Sequence, residues 1–230
     1  MNPKRPSRMR LVSIPTGTVE LEGQLGLPDG TEAVVLFAHG SGSSRHSPRN
    51  NLVAGALRDA GIGTLLLDLL TEREALDRAK VFDIAFLARR LGDATHWIRN
   101  DQDTKGLRVG YFGASTGAAA ALVAAAHDAG IGAIVSRGGR PDLAAPMLPQ
   151  VKAPTLLIVG GDDVPVIAMN EEAYELLRCK KQMKIIPGAT HLFEEPGTLE
   201  EVVRLATDWF VRHLTKAADE RQSPVCRKRG

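Results

Sequence analysis

The chain has 230 residues, a formal net charge of +2 and an ordinary globular composition, which suits one domain with a sizeable core and excludes a fibrous or disordered chain. Its positive excess sits at the ends, in Lys4, Arg5, Arg8 and Arg10 and in Arg227, Lys228 and Arg229, read as solvated tails over 1–10 and 217–230 around one domain over 11–216. No aromatic-rich basic patch lies between them, no stretch is apolar enough to span a bilayer and no secretory leader is evident, so neither nucleic acid nor membrane is expected as a partner. Cys179 and Cys226 lack metal-type or redox-type spacing. A disulfide between them stays open, and a reduced cytoplasmic protein is the simpler reading.

In chain order, Leu11 to Ile14 and the loosely alternating Val19 to Leu27 read as an antiparallel pair of strands. Ala33 to Ala38 follows as a short, continuous apolar run, the pattern of a strand buried on both faces. A helix is expected over Arg49 to Asp59, a strand over Gly63 to Leu67 and a long amphipathic helix over Val81 to Arg99. Then come a strand from Leu107 to Phe112, a helix from Thr116 to Asp128 and strands at Ile131 to Val135 and Thr155 to Val159. A helix at Asn170 to Arg178, a strand at Met183 to Ile186 and a helix from Leu199 to His213 complete the series. Strands alternating with helices of this length imply βαβ units, hence an α/β fold with helices on both faces of a mostly parallel sheet. The stretch from Val135 to Pro154 is too short to hold a sizeable helical cap, which predicts an open cleft.

The most informative stretch runs from Leu107 to Gly117 and on through an alanine-rich run to Ala126. It reads as strand, Gly113-Ala114-Ser115-Thr116-Gly117, then helix, the context of a nucleophile elbow that projects a serine hydroxyl into a cleft. Side chains at Gly113 or Gly117 would collide with the neighbouring strand or helix, because the turn forces close backbone approach. A serine hydroxyl needs a base, and the base needs a third group to hold its ring. His191, in the loop after the last strand, is the candidate base, with His46 as its rival in a polar loop near the cleft. His39 is better explained as a structural hydrogen-bonder. His96, His127 and His213 fall within helices. The acid is expected where Ile158-Val159-Gly160-Gly161-Asp162-Asp163 ends a strand. The Gly-x-x-Asp spacing favours Asp163 over Asp162. Oxyanion donors are expected from the backbone N–H of Thr116 and of Ser41 in the glycine- and serine-rich loop after Ala38.

The segments LFAHGSGSSRHSPRN (Leu36 to Asn50), GYFGASTGAAAAL (Gly110 to Leu122), PTLLIVGGDD (Pro154 to Asp163) and IPGATHLFEEPG (Ile186 to Gly197) together resemble the α/β-hydrolase superfamily. Within it they are similar to the dienelactone-hydrolase-like group, over nearly the whole chain. The resemblance implies an eight-stranded, mostly parallel sheet, which with the short Val135 to Pro154 stretch leaves no large cap domain, and a serine hydrolase that needs no metal and no organic cofactor. It puts Ser115 in the nucleophile's place, Asp163 in the acid's, His191 in the base's, and Ser41 and Thr116 in the oxyanion-hole places. The enzymes that name the group use a cysteine nucleophile, where this chain has Ser115. Arg45, His46, Arg137 and Arg140 are the candidates to touch substrate.

The expected activity is therefore that of a carboxylesterase, monomeric or homodimeric, acting on short-chain or compact esters, lactones among them, through an acyl-enzyme on Ser115. A hydrolase-fold binding protein without turnover is one alternative. The same triad acting on a thioester, amide or peroxy acid is another, since fold and triad do not select the bond.

Overall fold

The computed structural model describes residues 7–215. Strands β1 (Ser7–Thr16) and β2 (Val19–Pro28) form a hairpin whose turn holds Gly17 at φ 57°. There follow β3 (Ala33–Ala38), α1 (Pro48–Asp59), β4 (Gly63–Leu67), two single-turn helices α2 (Glu72–Ala75) and α3 (Arg78–Val81), and α4 (Ile84–Asn100). Next are β5 (Arg108–Ala114), α5 (Thr116–Ala126), β6 (Ile131–Arg137), a 3-10 segment (Pro141–Gln150), β7 (Thr155–Gly160), α6 (Val164–Leu176), β8 (Lys181–Ile186) and α7 (Thr198–Leu214). One eight-stranded sheet runs in the order β1-β2-β4-β3-β5-β6-β7-β8, with only β1/β2 and β2/β4 antiparallel.

β1 starts ahead of the expected domain boundary at Leu11. Arg8 and Arg10, read as tail residues, are strand residues that pair against β2 down to Ser7↔Pro28. Charge does not stop them, because an edge strand leaves its side chains in water, and here they meet carboxylates. Arg10 reaches Asp101 at 2.7 Å and Asp103 at 3.5 Å, and Arg8 reaches Asp103 at 3.6 Å. The remaining basic residues of both tails, and Cys226 with any bridge to Cys179, lie outside the described residues.

The continuous apolar runs are buried on both faces, as parallel strands between two helix layers must be. Every residue of β3, β4 and β7 is buried. Helices α1 and α7 cover one face, packing Val53, Leu57, Trp209 and Phe210 onto Val35, Phe37 and Phe112. Helices α4, α5 and α6 cover the other. α5 is apolar nearly all round (TGAAAALVAAA) and is the most enclosed helix, since α4 and the 3-10 segment flank it. Its run of alanines lets these backbones come close.

The strand order reverses around β3, whose neighbours are β4 and β5. In an open α/β sheet a crevice forms outside the carboxyl ends of strands at such a switch point. The loop after β3 and the turn after β5 meet there. Their meeting positions the site.

Candidate active site

Ser115 occupies the turn between β5 and α5 with φ 51° and ψ −123°, a conformation that costs a non-glycine residue about 1–3 kcal/mol and persists only where packing enforces it. The enforcement is visible. A Cβ on Gly117 would stand 2.1 Å from the Ala38 carbonyl oxygen, and one on Gly113 would stand 2.4 Å from the Ala118 Cα. The backbone of Ser115 is tied on both sides, its N–H donating to Arg137 O at 3.3 Å and its carbonyl accepting from Arg140 N at 3.1 Å. The serine is thus held at the N-terminus of α5, where the first N–H groups lack intrahelical partners and the helix dipole favours negative charge.

β7 ends in Gly160, and Asp163 stands at the N-cap of α6. Aspartate there normally caps its own helix. Asp163 makes no such bond. Its Oδ2 lies 2.6 Å from Nδ1 of His191 instead, with the carboxylate side chain 13% exposed and the imidazole 38%. Asp162 takes no part in this pair, and its N–H donates to Ala189 O. The loop carrying His191 is closed on itself, because Glu195 accepts from the N–H and the hydroxyl of Thr190. Buried Phe193 sits at φ 57° in the same loop, and Arg49 on α1 holds Glu194 at 2.7 Å. With Nδ1 bound to the carboxylate, Nε2 is the nitrogen left for proton transfer. Among the described residues no hydrogen bond joins Ser115 Oγ to His191.

The loop after β3 presses onto the serine, since a Cβ on Gly40 would come within 2.9 Å of Ser115 Cβ. The N–H of Ser41 donates to Thr116 Oγ1 at 3.1 Å, which draws the two expected oxyanion donors together. His39 is structural. Leu69 N–H donates to its Nε2, and its Nδ1 donates to Gly40 O, so the ring ties the two loops together.

The four candidate substrate contacts separate. Arg45 is engaged by Asp68, through backbone and guanidinium, and by Glu22, which locks the β3 loop to the ends of β2 and β4. Arg140 is bidentate to Asp142 at 2.8–2.9 Å, and that partner raises its pKa. Arg137 is buried without an ion pair among the described residues. Desolvation, then the like charge of Arg49, lower its pKa to about 10. Exposed His46 lines the cavity beside the serine, away from Asp163.

That cavity has a volume of about 740 Å³ and is lined by Gly40, Ser41 and Thr116, the neighbours of Ser115, but not by Ser115 itself. The expectation of an open cleft holds on the side of the β6–β7 connection, whose only helical content is the 3-10 segment. On the opposite side a wall stands, built largely by the stretch ahead of the helix expected from Val81, where no element was expected. It comprises Leu69, Leu70, Ala75 and Val81, carried by the β4–α4 connection, with Leu87 of α4 behind. The wall is pinned by Glu74, whose side chain completes a capping box with Thr71 and pairs with buried Arg90 at 2.8 Å. The Thr71-x-x-Glu74 spacing is the sequence signal that could have revealed it. Burial pulls the pKa of Glu74 up, and its bonds to Thr71 and Arg90 outweigh this, leaving it below the ordinary carboxylate value.

The dienelactone hydrolase family model matches residues 27–219. A crystal structure of dienelactone hydrolase from Anabaena variabilis is 57% identical with a TM-score of 0.88, covering 91% of this chain and 99% of that one. Est1E from Butyrivibrio proteoclasticus shares the fold at 14% identity and a TM-score of 0.73, over 88% of this chain and 98% of that one. A protein of Mycobacterium tuberculosis strain H37Rv, named "Putative phosphoribosyl transferase", is 56% identical over 210 residues, 91% of this chain. The chain spans about half the length of that relative, 47%. The chain belongs to the dienelactone hydrolase family.

Proposed function

We propose that the chain is a serine carboxylesterase that works through an acyl-enzyme on Ser115. The observation that carries this reading is the 2.6 Å bond from Asp163 to His191 Nδ1, made by an aspartate that forgoes capping its own helix. A carboxylate on Nδ1 fixes the tautomer and supports the imidazolium that forms when Nε2 takes a proton. Nε2 of His191 removes the proton of Ser115 as Oγ bonds to the carbonyl carbon. The carbonyl π pair becomes the oxyanion, and the N–H of Thr116 at the head of α5 is one donor to it. The N–H of Ser41 turns from Thr116 Oγ1 to the oxyanion as the second. When the intermediate collapses, the bond to the alcohol oxygen breaks and that oxygen takes the proton from Nε2. Water then gives a proton to Nε2 and attacks the acyl carbon, and Ser115 leaves with that proton. The transferase name belongs to a protein of which the matched region is under half, and it lends this site no step.

A second reading, a hydrolase-fold binder without turnover, is favoured by one observation, the missing hydrogen bond between Ser115 and His191. Such bonds often tighten only when substrate is bound. Intact mass after treatment with a fluorophosphonate separates the two. One adduct per chain, lost in Ser115→Ala, is expected. Folded protein that takes no adduct would favour the binder.

A further inference from the structure

The tetrahedral centre that Ser115 would form has four substituents, and besides the bond to Ser115 Oγ two have fixed directions. The oxyanion must face the N–H groups of Ser41 and Thr116, and the departing alcohol oxygen must face Nε2 of His191. Ser41, Thr116 and Gly40, which packs on Ser115, line the large cavity, whereas neither Ser115 itself nor His191 does. The imidazole stands instead on a side where it is 38% exposed. The substituent that runs into the cavity is therefore the acyl group, and the alcohol departs towards solvent.

The cavity's walls describe what fits. At about 740 Å³ it lies within the size range of ligand pockets and far exceeds an acetyl group. Leu69, Leu70, Val81 and Leu87 present one apolar side. The charged lining holds four carboxylates, Glu20, Glu22, Asp68 and Glu72, against the guanidiniums of Arg45 and Arg73. Arg45 is already taken by Asp68 and Glu22, which leaves the carboxylates of Glu20 and Glu72 against the one guanidinium of exposed Arg73 in the lining. A field of this sign repels an anionic tail.

Resting on the hydrolase reading, we propose that this cavity is the acyl pocket and that it takes an apolar acyl chain longer than acetyl that carries no carboxylate. Selectivity is exerted on the acyl side through the β4–α4 wall, and the alcohol is read loosely.

The test uses p-nitrophenyl acetate, hexanoate and the adipate half-ester, which is the hexanoyl chain with a terminal carboxylate. Hexanoate is expected to exceed acetate in kcat/KM by at least about tenfold, since each buried methylene adds severalfold. The half-ester is expected to fall about fivefold below hexanoate, with the gap closing as salt is raised. Leu70→Trp and, on the exposed outer helix, Ala75→Trp each reduce the hexanoate-to-acetate ratio. Neither alters the ratio between benzyl and methyl hexanoate. A flat acyl series, or blocking variants that shift the alcohol ratio instead, overturns the inference while leaving the hydrolase reading intact.

A turnover-free arm separates the two failures. The neutral dye N-phenyl-1-naphthylamine is titrated into Ser115→Ala with and without Ala75→Trp, each checked for an unchanged melting profile. Fluorescence gained in the first protein and lost in the second supports an apolar pocket even if no ester is cleaved. Equal fluorescence in both overturns it.

Discussion

The turn after β5 and the segment between β4 and α4 border the same cavity, yet they are built in opposite ways. In the turn, a Cβ on Gly113 or Gly117 would meet backbone, and Ser115 between them is held at φ 51°. In the β4–α4 wall the short helices α2 and α3 contain no buried residue, and what holds them is one carboxylate, Glu74, bonded to Thr71 and to Arg90. The first region is over-determined by its own backbone packing. The second rests on that carboxylate, with no buried residue in either short helix to constrain the outer positions. A rigid centre and an adjustable wall are the division expected when specificity must change without disturbing a catalytic geometry.

The comparison can be broken most sharply at the rigid end. Asp163→Asn is expected to lower kcat by about 10³–10⁴-fold, because the amide favours the wrong imidazole tautomer. Steady-state kinetics on the hexanoyl ester reads it, and a loss below tenfold would remove Asp163 from the mechanism. Gly117→Ala should destabilise the fold by more than about 3 kcal/mol in urea titration, since its Cβ has nowhere to go beside the Ala38 carbonyl. If the variant melts like the parent, the turn is less constrained than drawn.

At the adjustable end, Glu74→Ala is expected to cost about 2 kcal/mol, leaving Arg90 buried with its charge unpaired. Its signature is regional. Amide exchange should quicken over residues 71–83 while residues 107–118 stay protected, and uniform quickening would show that the wall is not a separate unit.

The smallest effect lies outside both regions and calibrates them. Burial, then Lys180 and Arg212, depress the pKa of His213 to about 4 from 6.5. The unfolded chain thus binds a proton that the folded one refuses. Stability is retained above pH 6.5 and declines as pH falls from 6.5 towards 4. After discounting for its solvent contact the effect is about 1 kcal/mol, and His213→Phe should flatten the slope over that window in urea titrations.

Legibility in the sequence follows the same division. The elbow could be read because its glycines and its strand-helix context are contiguous, and the order of serine, aspartate and histidine follows from strand ends that are plain apolar runs. Asp163 and Asp162 were separable only as a preference from spacing. The structure brings the Asp163 carboxylate to the imidazole, while Asp162 contributes only its backbone N–H, donated to Ala189 O. The arginines were not legible, because whether a guanidinium is free depends on carboxylates far along the chain. Glu22 and Asp68 claim Arg45, while Arg137 is enclosed beside Arg49. The charged run over 71–83 offered only its capping box, and local polarity hid that its few apolar residues line a cavity.

By itself, then, the sequence determined the βαβ rhythm, the strained serine and the residue types able to support it, because each rests on contacts between near neighbours or on burial that composition reveals. The tertiary structure decided which aspartate meets His191, which arginines are spent on internal ion pairs, and where the cavity opens and what walls it. Those outcomes depend on groups brought together by the sheet order at β3, β4 and β5, and separations of that length leave no mark in local spacing.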